Sequence, residues 1–110
     1  MKGIIVMEYL KVLQDNFEAK DNSFLYYLHE ENFFHEKAFA ELCSCISSLC
    51  HVHLHDEEVS AQICFIYGQV LRHIIYHFDP SDLSRISNLP SNYQEKLDVL
   101  ERIVTSCFYL

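Results

Sequence analysis

Hydrophobic positions recur along this chain mainly in steps of three and four. Val6, Leu10, Leu13 and Phe17 form one stripe, while Glu8, Lys11, Asp15 and Glu18 run up the opposite side, which predicts an amphipathic helix over 3–20. The Asp21-Asn22-Ser23 cluster stops it and supplies a cap for a short second helix over 24–30. Asn32 is the expected N-cap of a third helix, carried by Phe34, Ala38, Leu42, Ile46 and Leu49 and ending near Cys50. Asp56, followed by Glu57 and Glu58, places a cap and two acids where a helix dipole favours them. From there Val59, Ile63, Ile66, Val70 and Ile74 form a stripe that Cys64, Phe65, Tyr67, Leu71 and Ile75 broaden. The helix near 57–78 is therefore expected to be the central, most enclosed one, with another helix crossing closely at Gly68. Asp79-Pro80 predicts a short helical turn through Ile86. A capping-box pattern over 91–94 then introduces a last helix along Tyr93, Leu97, Leu100, Val104 and Cys107.

Only two glycines and two prolines interrupt these patterns, too few for a meander or sandwich of short strands. The fold class expected is all-α, a compact single-domain bundle of about five to seven helices over residues 1–110. The longest apolar run, 61–78, contains Gln62, Gln69, Arg72, His73 and His77, which are costly in lipid, so no membrane span is expected. Residues 1–7 are too short for a secretory apolar region and lack a small-residue cleavage site. The odd count of five cysteines, all within apolar patterns, suggests reduced thiols packed as small hydrophobes in a cytoplasmic protein.

Charge changes this picture most. The net charge is −8, and nearly all of it falls between Gln14 and Val59, where Asp15, Glu18, Asp21, Glu30, Glu31, Glu36, Glu41, Asp56, Glu57 and Glu58 face only Lys20 and Lys37. An acidic half of this kind suits a basic partner and repels nucleic acid. The residues expected to form a partner-binding surface are Asp15, Glu18, Asp21, Glu30, Glu31, Asp56, Glu57 and Glu58, with Tyr26 or Tyr27 as anchoring rings.

Other chemistry is sparse. His51, His53 and His55 alternate, and His73 and His77 stand four apart, both spacings that can share a metal. No glutamate follows His73, however, so the zinc-protease motif is absent. A structural role in the joint between helices and at the edge of the buried stripe accounts for these imidazoles, and no metal or other cofactor is expected. Cys43, Cys45 and Cys50 lack a second paired arm for zinc. Cys50 adjoins His51, but no nucleophile elbow, phosphate-binding glycine loop or paired-carboxylate loop occurs, and the chain is expected not to be an enzyme.

A short, acidic, helix-rich chain without catalytic machinery resembles the immunity proteins of bacterial contact-dependent growth inhibition and related polymorphic toxin systems. The resemblance is one of composition and architecture along the whole chain, without a shared motif. It implies a cytoplasmic protein that binds and neutralises a cognate basic toxin domain, such as an RNase, and so protects the producing cell. Two other classes remain open: a self-associating helical adaptor or regulatory subunit, and a metal-binding sensor using His51, His53 and His55 or His73 and His77. Homo-oligomers are compatible with the sequence but are not its primary expectation.

Overall fold

The computed structural model describes the backbone of residues 2–52 and 56–108 and the side chains of residues 6–50 and 56–108. Among the described residues, five helices form a bundle: α1 (Lys2–Phe17), α2 (Phe24–Glu31), α3 (Glu36–Val52), α4 (Glu57–Phe78) and α5 (Tyr93–Phe108). There are no strands among the described residues, and none of the described helices is long and apolar enough to cross a membrane.

α1 ends three residues earlier than its pattern suggests. Ala19 adopts a left-handed conformation (φ 51°), the Lys20 amide donates to the Asp15 carbonyl at 2.8 Å, and the Ala19 amide donates to the Asn16 carbonyl at 3.1 Å. These paired bonds satisfy the last carbonyls of the helix, the role usually given to glycine at this position. The buried Asn16 side chain donates to the Val12 carbonyl and accepts the Leu25 amide at 3.1 Å, which ties α1 to the start of α2. Ser23 caps α2 as expected, its hydroxyl oxygen accepting the Tyr26 amide.

Asn32 does not cap α3. It stands in the left-handed region (φ 49°) as the C-cap of α2, with its amide donating to the Tyr27 carbonyl. Asparagine suits both roles, and here the end of the preceding helix claims it. The cap of α3 falls to His35, whose Nδ1 accepts the Ala38 amide at 3.0 Å.

The interior is centred on α3, which packs against α1, α2 and α5. Its Ala38, Phe39, Leu42, Cys43, Cys45, Ile46, Leu49 and Cys50 are all buried. Phe24 of α2 meets Phe34 and Phe39 edge-to-face at 5.0 and 5.2 Å. α4 buries the expected stripe of Val59, Ile63, Ile66, Val70 and Ile74 against α1, α2 and α5. The residues expected to broaden that stripe lie differently: Cys64, Phe65 and Ile75 are exposed and Tyr67 is half-buried. Gly68 is also exposed, and a methyl group there would meet nothing within 4 Å. The close helix crossing expected at Gly68 is therefore absent among the described residues, although glycine in a helix interior costs about 1 kcal/mol relative to alanine.

Residues 79–92 form no helix. The Asp79 and Asp82 carboxylates accept the amides of Ser81 and Ser84, two residues on, and these local bonds compete with the helical turn that Asp79-Pro80 suggests. The segment is pinned at its far end, where the Asn88 side chain both accepts the Phe34 amide at 2.6 Å and donates to the Phe34 carbonyl at 2.9 Å. At the start of α5, Gln94, expected to partner Ser91, instead donates from its side-chain Nε2 to the Tyr93 hydroxyl at 3.3 Å.

Cys50 and Cys107 form a disulfide with a Cα–Cα separation of 5.2 Å, joining the ends of α3 and α5. This corrects the expectation that every thiol is free, because packing α5 along α3 brings together two cysteines 57 positions apart. Cys43 and Cys45 are free and buried, and burial raises their pKa values to about 11 and about 12. Cys64 is free and exposed.

Candidate functional site

The acids expected to form one surface fall into three groups, of which the first two adjoin where Asp21 and Asp15 border one hollow. The first surrounds Tyr26 on α2. This tyrosine has a pKa raised first by partial burial and then by the negative charges of Asp21, Glu31 and Glu30. Three exposed carboxylates thus share the surroundings of one half-exposed ring. Tyr27 is occupied internally: it stacks on His35 at 4.3 Å between ring centres, and its hydroxyl donates to Asn22 Oδ1 at 3.3 Å. Of the two candidate anchors, Tyr26, which meets Tyr27 edge-to-face at 5.6 Å, is the one with carboxylates around it.

The second group, Asp15 and Glu18, is partly neutralised. Lys11 Nζ lies 2.7 Å from Asp15, and Lys20 Nζ lies 2.8 Å from Glu18. The Glu18 pKa is lowered by hydrogen bonds from Lys20 and Gln14. Asp15 and Asp21 border an open hollow together with Lys11 and Lys20, so its field is mixed in sign.

The third group stands at the start of α4. Asp56 Oδ1 accepts the amides of Glu58 and Val59 at 3.0 and 3.1 Å, committing that carboxylate to the cap, while Glu57 and Glu58 are exposed. α2 reaches α4 through the contact of His29 with His73. At 1.5 Å per residue, His73 lies about 24 Å along the helix from Glu57. The structure therefore brings Asp21, Tyr26, Glu30 and Glu31 together and holds the Glu57–Glu58 pair well away from them. Between α1 and α3, Glu8 and Glu41 add to the negative surface beside a cleft of about 310 Å³ that includes Tyr9 and Lys37. No sequence spacing links those two acids, which meet only because α1 packs on α3.

Histidine geometry does not assemble a metal centre from the helical pair. His73 Nε2 lies 3.2 Å from His29 Nδ1, whereas His77 Nδ1 accepts the Ile86 amide at 2.9 Å. The two imidazoles four residues apart thus serve different elements. Among the described residues, no group of three or more His, Cys, Asp or Glu side chains is placed to hold a metal ion. The imidazoles of His51, His53 and His55 lie outside the described residues.

The His29–His73 pair, 44 positions apart in sequence, has no local signature. Burial, then the neighbouring His29 and Arg72, lower the His73 pKa from 6.5 to about 4, against a smaller opposing effect of Asp82. Between these values the unfolded chain binds a proton that the folded chain refuses, so stability rises with pH across that window and is lost as pH falls from about 6.5 to about 4. The expected loss is about 1–2 kcal/mol after allowing for solvent around the half-buried ring. Urea melts of wild type and His73→Phe across this window measure it, and equal slopes in the two proteins would contradict the assignment.

Comparisons with protein-family models, curated proteins and solved structures found no match to this chain.

Proposed function

We propose that this protein is an immunity protein that binds and neutralises a cognate basic toxin domain, a nuclease such as an RNase, through the acidic face around Tyr26. The observation that carries the reading is that Tyr26, Glu30 and Glu31 share one short helix, with Tyr26 and Glu30 one turn apart and Asp21 just before the helix. A half-exposed aromatic ring supplies contact area at low entropic cost. Carboxylates around it attract a positive cleft and orient the approach. A nuclease cleft built for polyanionic substrate has the complementary field, so occupation by this face keeps RNA out. Glu18 and Asp15, tied to lysines, contribute at the rim, and Glu57 and Glu58 act as a separate charge at longer range.

The resemblance to immunity proteins implies action in the bacterial cytoplasm. The Cys50–Cys107 disulfide removes the argument for that compartment from unpaired thiols, because such bonds persist chiefly in oxidising surroundings. Alkylation of the chain in freshly lysed cells reads its redox state directly.

The test takes a candidate toxin domain from the genes flanking that of this chain and mixes it with purified protein in stopped flow at low and high salt. Reversing Glu30 and Glu31 together to lysine should slow association about tenfold or more at low salt and flatten its salt dependence. The same change at Glu57 and Glu58 should have a smaller effect. Failure of the wild-type pair to bind, or an association rate indifferent to the Glu30 and Glu31 change, would overturn the reading.

A further inference from the structure

The outward side of α4 is built for a contact that the single chain does not make. Glu57, Ala61, Cys64, Phe65, Gly68, Arg72 and Ile75 are all exposed, and helical spacing places them on one face. Phe65 is 46% and Ile75 65% exposed, and Phe17 of α1, 38% exposed, meets Phe65 edge-to-face at 5.0 Å and widens the strip. In the middle of this apolar face sits Gly68, over which a methyl group would meet open space. No left-handed backbone or neighbouring helix of this chain requires a glycine there. A notch on an exposed apolar helix face lets the backbone of another helix come close.

We propose that a second copy of this chain packs on this face with its α4 antiparallel, forming a twofold-symmetric dimer in which each Phe65 covers the other copy's Gly68. Charge selects this occupant. Acids occupy the N-terminal end of the face, at Glu57 and Glu58, and a cation lies toward its C-terminal end, at Arg72. A twofold axis between Ile66 and Tyr67 pairs residue 65 with 68 and sets each Arg72 opposite Ala61 of the other copy. From there Glu58 and Glu57 stand about 4.5 and 6 Å along the helix. The antiparallel arrangement also opposes the two helix dipoles favourably. Two chains of net charge −8 repel, so the apolar strip supplies the affinity and Arg72 the register.

The apolar area suits a weak, reversible dimer. Taking the exposed fractions of Phe17, Phe65, Ile75 and Tyr76 with roughly 200 Å² per side chain gives about 370 Å². That is under half of the ~800 Å² per partner of a standard interface, so the dimer expected is a weak one. None of these residues belongs to the cluster around Tyr26, so this inference stands or falls apart from the proposed function.

The experiment is sedimentation equilibrium of the full chain, with its disulfide intact, from micromolar to millimolar concentration. A reversible monomer–dimer equilibrium is expected. Gly68→Ala places a methyl where the single chain has space, so its melting temperature at high dilution should equal or exceed that of wild type, while its dimer dissociation constant rises about tenfold or more. Phe65→Glu should be monomeric throughout. Cys64, an exposed free thiol, gives an independent reading: its two copies should lie within about 11 Å of each other between Cα atoms, from 1.5 Å per residue along antiparallel helices whose axes are about 8 Å apart. A bismaleimide of matching span should therefore join two copies of wild type and none of Cys64→Ser. A monomer at every concentration overturns the proposal, as does a dimer whose dissociation constant is unchanged by Gly68→Ala.

Discussion

Reduction of the Cys50–Cys107 disulfide is expected to lower the free energy of unfolding by about 4 kcal/mol. That figure follows from the chain entropy released when a loop spanning 57 positions is opened. It is a large share of the roughly 5–15 kcal/mol that holds a small domain together. The bond joins the last turns of α3 and α5, at residues that are themselves buried, so opening it first loosens the end of α5. Leu100 and Val104 would still hold the middle of that helix in the core. Urea denaturation of the oxidised chain, the chain in reductant and Cys107→Ser should therefore give one high midpoint and two low, similar ones. A single midpoint for all three, or two alkylatable thiols at these positions in native oxidised protein, would remove the bond from the account of stability.

Phe24→Ala should cost a comparable amount, about 3–5 kcal/mol. The Phe24 side chain is fully buried, and its ring stands edge-to-face with both Phe34 and Phe39, so truncation removes apolar burial together with two favourable ring contacts. The site cannot collapse easily, because α2 is held from both ends. Ser23 and Asn16 fix its start, and Asn32 ends it in a left-handed turn. Phe24→Leu, which keeps most of the volume, should cost less than half as much. On the proposed function, because α2 carries Tyr26, Glu30 and Glu31, Phe24→Ala should also weaken binding of the proposed toxin partner, whereas Phe24→Leu should leave it close to wild type. Denaturation midpoints for both variants check the first statement, and stopped-flow rates with the toxin domain check the second.

Helix content was legible because it depends on near neighbours. The stripes of α3 and α4 marked buried residues correctly, and Ser23 and Asp56 were recognisable caps because their acceptors reach amides only two or three residues away. Local patterns were ambiguous where two local solutions compete. Asn32 can start one helix or finish another, and the Asp79 and Asp82 carboxylates bind the amides of a turn as readily as they begin a helix. In α1, Phe17 continued the apolar stripe, yet the polar Asn16 is buried while Phe17 reaches solvent. A bond across to Leu25 makes burial of that amide side chain tolerable, and no helical period encodes such a bond.

The candidate site divides in the same way. Tyr26, Glu30 and Glu31 lie within two turns of one helix, and Asp21 lies close before it, so their meeting is inherent in short sequence spacing. Glu57 and Glu58 looked like members of the same patch only because nothing in a linear sequence measures the distance along α4.

By itself, then, the sequence determined an all-α chain, the faces its helices bury and an acidic first half, since periodicity, capping and charge are properties of neighbouring residues. Tertiary structure alone decided that Cys50 meets Cys107, that His29 meets His73, that the acids separate into distinct groups, and that Gly68 opens to solvent on an apolar face. Each of those outcomes depends on which helix lies against which, and that is settled by the packing of the whole core rather than by any segment of it.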